Sequence, residues 1–164
     1  MTTSESNALE KRDFILHTIQ PGLEGLMDGS VSSLAPLFAA ALSTRNNHTT
    51  FLVGIAVAVG AGISMAFSEA LSDDGKISGR GNPITRGVVC GLMTFLGAAG
   101  HTIPFLLRSF HVAMTVAIIV VIVELFAIAW IRHKYMDTPL VKAVFQIVFG
   151  GVIVFVAGIL IGKS

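Results

Sequence analysis

Five runs of largely apolar residues constrain the fold of this chain more than any other feature of its sequence. They occupy residues 21–43, 51–71, 87–107, 112–131 and 140–161. Each holds about 20 residues, which is enough for a helix to cross a bilayer. Only 13% of the residues are charged, whereas soluble domains carry about 25%. The sequence therefore predicts an all-α, polytopic membrane protein with five transmembrane helices.

The segments between the runs are short, so we expect consecutive helices to be antiparallel neighbours. Residues 1–20 are polar and then mixed, which predicts a cytoplasmic N-terminal segment with a short interfacial helix. Residues 21–164 are then expected to form one five-helix transmembrane domain. Pro36 and Pro104 fall inside the first and third runs, where we expect each proline to bend its helix.

Lysine and arginine are distributed unevenly between the two ends of the predicted helices. One side collects Lys11, Arg12, Lys76, Arg80, Arg86, Arg132, Lys134 and Lys142, and the other collects Arg45, Arg108 and Lys163. Because cytoplasmic loops are rich in these residues, the N-terminus is predicted to be cytoplasmic and the C-terminus to lie outside. The basic residues are scattered among short loops, so we expect membrane lipids and no nucleic acid as partners.

Two carboxylates, Glu24 and Asp28, lie within the first run, four residues apart and therefore on one face of a helix. A charged carboxylate in a membrane costs roughly 3 kcal/mol on insertion scales. Two like charges on one buried face also repel each other unless a cation or a proton neutralises them. The pair therefore predicts a site at which a cation exchanges with protons.

The second run adds Met65 and Glu69, again four residues apart. Carboxylate oxygens favour divalent cations, and a thioether adds affinity for softer ions. A site of Glu24, Asp28 and Met65 would suit Fe²⁺ or Mn²⁺ better than Mg²⁺ or Ca²⁺, while zinc usually recruits histidine or cysteine. The ion would be cargo, and no tightly bound cofactor is expected.

The membrane potential favours coupling of such an ion to protons. Export of a divalent cation against an inside-negative potential of 100 mV costs about 4.6 kcal/mol. If two protons return on the vacated carboxylates, the cycle is electrically neutral and draws on the pH gradient alone. Proton coupling through Asp28 and Glu24 is therefore our hypothesis for this helix.

Asp73, Asp74, His101 and Glu124 are secondary candidates for the site. Each also has a structural interpretation: the aspartates as solvated loop or helix-end residues, His101 as a hydrogen-bonding residue, and Glu124 as a buried partner that fixes helix order. Cys90, the one cysteine, is interpreted as a packing residue and excludes an intrachain disulfide. No nucleophile–base constellation or cofactor motif is recognisable, so an enzyme is not expected.

Gly25, Gly29 and Ser33 recur every four residues in the first run, a spacing that lets two helices approach closely. This small-residue face predicts a packing seam. It serves either a homodimer formed through the first helix or the packing of the first two helices within one chain.

Several segments resemble the signature segments of the vacuolar iron transporter family. They are GLMDGSVSSLAP in the first run, GAGISMAFSEAL in the second and NPITRGVVCGLMTFLGAAGHTIPFLL in the third. The resemblance covers about residues 17–162. The chain is most similar to the membrane domain of bacterial membrane-bound ferritin (erythrin–vacuolar iron transport) proteins, in which LEGLMDG and EALSDDG recur in much this form.

The resemblance implies a five-helix, proton-coupled exporter of Fe²⁺, and also of Mn²⁺ or Co²⁺, in the bacterial inner membrane. It implies a homodimer whose ion path lies near the subunit interface and is lined by the first helices. The family's transport aspartate, membrane methionine and helix-two glutamate fall on Asp28, Met65 and Glu69. Glu24 belongs to the membrane-ferritin variant, and Met27 replaces the usual asparagine and would add a thioether ligand.

Two differences from the family leave alternatives open. Plant and parasite members place a glutamate-rich metal-binding domain between helices two and three, where this chain has residues 72–85. A ferritin-like, iron-delivering domain or partner is expected only by analogy with the membrane ferritins. Besides an exporter, the sequence leaves open a metal-permeable channel without proton coupling and a non-transporting membrane anchor or assembly subunit.

Overall fold

The computed structural model describes residues 3–76 and 78–163, and these residues are helical apart from short connections. Within those ranges there is no β-strand, and five helices are long and apolar enough to cross a membrane. The predicted fold class is thereby confirmed. Met1, Thr2, Ile77 and Ser164, which the predicted segments include, lie outside the described residues.

The first membrane helix is longer than its apolar run. It forms one 40-residue helical stretch, Glu5–Thr44, that joins the N-terminal segment to the first span without a loop. The stretch includes all of α1 (Thr3–Phe14) from Glu5 onward, a π-helical turn (Ile15–Ile19), α2 (Gln20–Ser32) and α3 (Leu34–Thr44). The predicted N-terminal helix therefore exists, but it continues directly into the membrane helix.

The two irregularities in this helix coincide with its prolines. Pro21 has no amide to donate to the carbonyl four residues earlier, and the turn before it widens so that the Gln20 amide bonds to the Ile15 carbonyl. Pro36 likewise leaves the carbonyl of residue 32 without its usual partner, and the helix is interrupted at Ser33. The backbone at Ser33 keeps right-handed helical dihedral angles, so the first helix continues past this irregularity, which we call the break.

The next two helices are α4 (Asn47–Ser72) and α5 (Pro83–Gly100), and both begin four residues before the predicted runs. An asparagine caps each start. The Asn46 side chain accepts a hydrogen bond from the Thr49 amide, and Asn82 accepts from the amides of Ile84 and Thr85. Polar capping residues therefore extend both helices beyond their apolar runs.

The end of α5 corrects one prediction. Pro104 does not bend this helix, because α5 ends at Gly100 and Pro104 lies in a short 3₁₀ turn, Ile103–Leu106. A proline at position 104 removes the amide that would bond to the Gly100 carbonyl. The chain therefore leaves the helix at His101, which is completely buried.

The last two helices are α6 (Phe110–Tyr135) and α7 (Leu140–Lys163). Together with α3 they enclose much of the apolar core, in which the rings of Phe38 and Phe155 meet edge to face at 4.8 Å between centroids. The helix α6 extends through Arg132 and Lys134, past the predicted end of its run. Its last turn therefore carries basic side chains beside the connection to α7.

The small-residue face of the first helix packs against α5 of the same chain. A Cβ atom on Gly25 would overlap the Cys90 carbonyl, and one on Gly29 would overlap the Thr94 backbone. Both glycines and Ser33 are buried. The small-residue face, which was predicted to pack against a second subunit or against the second membrane helix, is thus covered by the third membrane helix. A second subunit would have to bind at another surface.

Candidate metal site

A cavity of about 750 Å³ lies beside α2. One wall is formed by α2, and another by the middle of α7. Met65 reaches it from α4, Arg80 from the α4–α5 loop, and Met136 from the end of α6. The cavity therefore extends to the end of the bundle where these two connections lie.

Four of the predicted site residues line this cavity together: Glu24, Met27, Asp28 and Met65. The first three share one face of α2 because they are spaced by three and four residues. Glu24 is exposed, whereas the other three are half-buried. The sequence prediction that two carboxylates and a thioether converge is therefore matched by their positions.

The donor set of the cavity is sparse. Its lining offers two carboxylates, Glu24 and Asp28, and three thioethers, Met27, Met65 and Met136, besides the side-chain oxygens of Gln20, Ser32 and Gln146. Among the described residues, no group of three or more histidine, cysteine, aspartate or glutamate side chains could hold a metal ion. Carboxylate oxygens together with thioether sulfurs suit a borderline divalent cation. A site with so few strong ligands suits an ion that passes through better than an ion that is held permanently.

Two arginines also line the cavity, and the sequence reasoning treated them only as topology signals. Arg80 comes from the α4–α5 loop and Arg132 from the last turns of α6. With Glu24 and Asp28 they give the lining two positive and two negative side chains. Sequence spacing could not predict that both line one cavity, because one comes from the α4–α5 loop and the other from α6.

Glu69, which the sequence grouped with Met65, does not line the cavity. It is only 5% exposed, and its Oε1 accepts hydrogen bonds from Arg86 Nε at 2.9 Å and from Arg80 Nη2 at 2.8 Å. Arg86 is completely buried. A carboxylate already paired with two guanidinium groups is poorly available to a metal ion.

Asp73 and Asp74 shape the loop after α4. Hydrogen bonds from the Ser78 hydroxyl and the Gly75 amide hold the pKa of Asp73 below its ordinary value of 3.8. The Asp73 carbonyl also accepts from Arg86 Nη2 at 2.9 Å. Asp74 accepts from the amide of Lys76 at 3.0 Å and is largely exposed. Neither aspartate lines the cavity, which agrees with their structural interpretation.

His101 and Glu124 lie together, away from the cavity. His101 Nδ1 and Glu124 Oε2 are 2.9 Å apart, and His101 Nε2 lies 2.8 Å from the Ser33 hydroxyl. Both ring nitrogens are therefore engaged, so a metal ion could bind His101 only by displacing one of these bonds. This agrees with a hydrogen-bonding role for His101 and with a buried partner for Glu124.

Sequence reasoning missed the contribution of α7 to the cavity. Gln146, Ile147, Gly150 and Val154 line it from that helix. Gln146 could have indicated this contribution, because it is a polar side chain in the middle of the apolar fifth run. Cys90, by contrast, is buried and free, as expected of a packing residue.

The profile of the VIT family matches residues 71–163, which is more than half of the chain. The matched region contains Asp73, Asp74, His101 and Glu124, whereas the cavity residues of α2 and α4 precede it. No curated protein and no solved structure matched the chain.

Proposed function

Since the chain belongs to the VIT, or vacuolar iron transporter, family, we propose that it exports divalent metal ions in exchange for protons. Membership indicates metal-ion transport across a membrane, and five helices suited to span one agree with it. We infer Fe²⁺ as the main cargo, with Mn²⁺ and Co²⁺ as alternatives. The bacterial inner membrane is the proposed location.

One observation carries this proposal. Two carboxylates of a membrane helix, Glu24 and Asp28, line one cavity with the thioethers of Met27 and Met65. Neither carboxylate forms an ion pair among the residues that the structure describes. Ionisable groups inside a membrane span are expensive and mark ion or proton paths. A divalent cation, or protons in its absence, would neutralise this pair.

The position of the cavity and the distribution of basic residues support the proposed direction of transport. The cavity reaches Arg80 and Arg132, which the positive-inside tendency places on the cytoplasmic side. An ion would therefore enter from the cytoplasm and bind at Asp28 and Glu24.

Competition for one carboxylate would couple the two fluxes. Asp28 holds either the metal ion or a proton, so each turnover carries one species out and the other back. Glu24 acts as a second ligand or proton carrier nearer the mouth. The thioethers of Met27 and Met65 select softer ions, because thioether sulfur binds Mg²⁺ and Ca²⁺ poorly.

A homodimer and an iron-delivering partner belong to the proposal as well. One chain supplies only two carboxylates to the cavity, so a second copy on a surface other than the α2–α5 seam would supply further ligands. A ferritin-like domain or protein would deliver Fe²⁺ to the mouth. Native mass spectrometry in detergent reports the dimer, and a monomer at all concentrations would contradict it.

The test is Fe²⁺ flux into anaerobic proteoliposomes under an imposed pH gradient. Asp28→Asn removes the exchanging carboxylate with little change in size, and we expect it to abolish pH-driven flux. Asp74→Asn is the matched control, since it makes the same chemical change at an exposed loop position. Equal flux through wild type and Asp28→Asn would refute the assignment of Asp28.

Three other results would redirect the proposal. Flux of Mn²⁺ or Co²⁺ without flux of Fe²⁺ would keep the mechanism and change the cargo. Flux that ignores the pH gradient would support a metal-permeable channel. No flux of any divalent ion would support a membrane anchor or assembly subunit.

A further inference from the structure

A buried chain of three polar side chains crosses the bundle beside the break in the first helix. It consists of Ser33 at the break, His101 at the end of α5 and Glu124 in α6. The Ser33 hydroxyl lies 2.8 Å from His101 Nε2, and His101 Nδ1 lies 2.9 Å from Glu124 Oε2. Ser33 and His101 are 1% and 0% exposed, and Glu124 is 15% exposed.

The hydrogen-bond donors and acceptors of Ser33, His101 and Glu124 determine how many protons these three side chains hold. The Ser33 hydroxyl has one proton, and it donates to the Gly29 carbonyl at 2.5 Å. Ser33 can therefore only accept from His101, so Nε2 must carry a hydrogen. A further proton must lie between His101 Nδ1 and Glu124 Oε2, because two lone pairs would repel at 2.9 Å.

The pair of His101 and Glu124 therefore holds one proton more than a neutral histidine beside a carboxylate. It is either an imidazolium with a carboxylate or a neutral imidazole with a carboxylic acid. Both forms have zero net charge, which suits a site inside a membrane. Among residues 3–76 and 78–163, no other charged side chain forms a hydrogen bond or ion pair with either residue.

Loss of that proton would change the hydrogen bonds at the break in the first helix. The remaining ring proton would stay on Nδ1, facing the Glu124 carboxylate, and Nε2 would become an acceptor. The Ser33 hydroxyl would then have to leave the Gly29 carbonyl in order to donate to His101. Gly29 follows Asp28 directly, so the proton content of the pair determines which partner the Ser33 hydroxyl has beside the metal cavity.

The same three residue types form the hydrolytic triad of many enzymes, but this arrangement does not suit that chemistry. A nucleophilic serine needs access to a substrate and a proton that it can give to histidine. Here Ser33 is 1% exposed and its proton is directed to a backbone carbonyl. The arrangement is suited to holding a proton, as histidine–carboxylate chains do in membrane transporters.

We propose that His101 and Glu124 form a binding site for a coupled proton, separate from the metal cavity. The inference rests on the proposed proton-coupled transport. In each cycle the pair takes one proton from water and returns it to water on the other side, while the metal ion binds at Glu24 and Asp28. The Ser33 hydroxyl connects the two sites through the break in the first helix.

The test measures protons moved per metal ion in proteoliposomes, with metal uptake and internal pH recorded together. Glu124→Gln and His101→Asn each keep a hydrogen-bonding side chain of similar size but remove a titrating group. We expect either variant to move about one proton fewer per ion than wild type. Thr102→Val is the matched control, because the hydroxyl of this buried neighbour donates to the Ala98 carbonyl of α5 and forms no other hydrogen bond among the described residues.

The ratio separates this role from a purely structural one. A structural defect would slow metal and proton movement equally and leave the ratio unchanged, and that result in a folded variant would overturn the inference. Absence of proton movement in wild type would instead refute the proposed function. If neither variant folds, ¹⁵N spectra of wild-type protein decide, since His101 must carry a proton on Nε2, and an unprotonated Nε2 would overturn the inference.

Discussion

Alanine at the glycines between α2 and α5 tests the packing of the helix that carries both cavity carboxylates. A Cβ atom on Gly25 would lie 2.8 Å from the Cys90 carbonyl carbon, and one on Gly29 would lie 2.9 Å from the Thr94 Cα. Ordinary contacts of a Cβ atom begin at 3.4 Å. The two helices would therefore have to separate by at least about 0.6 Å, the difference between 3.4 Å and the 2.8 Å to each carbonyl carbon, and further to clear the carbonyl oxygens.

The cost of this separation is expected at the upper end of the range for overpacking. Inserting one methyl group into a packed core costs about 1–3 kcal/mol, and a backbone carbonyl cannot move aside alone. We expect about 3 kcal/mol for Gly29→Ala, which corresponds to a decrease of roughly 6–12 °C in apparent Tm for a chain of this size. Thermal unfolding in detergent, followed by intrinsic fluorescence or light scattering, measures it.

Gly60→Ala is the matched control for this experiment. Gly60 lies within α4, and a Cβ atom there would meet nothing within 4 Å. Alanine is the better helix former by about 1 kcal/mol, so Gly60→Ala should leave the apparent Tm unchanged or raise it. If Gly29→Ala were as stable as Gly60→Ala but changed the oligomeric state, the face would pack between subunits and the assignment of the seam to α5 would be refuted.

Two further predictions concern the loop after α4. Arg86→Leu should lower the apparent Tm more than Arg80→Gln. Removing Arg86, the fully buried partner of Glu69, costs about 3 kcal/mol, whereas Arg80 is partly exposed. Equal decreases of the two variants in a thermal melt would contradict this prediction. The Asp73 carboxylate, whose pKa is lowered by Ser78, should stabilise the fold above pH 3.8 and lose that contribution as the pH falls below it. In acid titrations followed by circular dichroism, Asp73→Asn should therefore lose less stability than wild type over that range, and identical profiles would show that the bonded carboxylate does not stabilise the loop.

The number and order of the membrane helices follow from the apolar runs, because a bilayer leaves few alternatives for a stretch of about 20 apolar residues. The helix ends do not follow from hydropathy. Asn46 and Asn82 extend two helices by capping, and Pro104 ends α5 early. These are short-range hydrogen-bonding effects that an average over an apolar window does not register.

The cavity was predictable only in part. Glu24, Asp28 and Met65 share helix faces that periodicity identifies, and the structure brings them together. Glu69 was assigned to the site because it is a carboxylate one turn from Met65. Its pairing with Arg86 depends on how the α4–α5 loop folds back, which no local pattern encodes.

The partners of His101 were also beyond prediction. Ser33, His101 and Glu124 come from three helices and are separated by 68 and 23 positions along the chain. The sequence indicated only that a histidine and a glutamate occur in apolar runs. Their contact requires the early end of α5, which turns the chain inward at His101.

Proton movement driven by the metal gradient tests the central claim most directly. Proteoliposomes with equal pH on both sides and an internal pH dye would receive anaerobic Fe²⁺ on one side, and metal and pH would be recorded together. The account predicts a pH change opposite in direction to the metal flux, and its loss in Asp28→Asn. Metal accumulation with no change in pH would contradict it and indicate a channel.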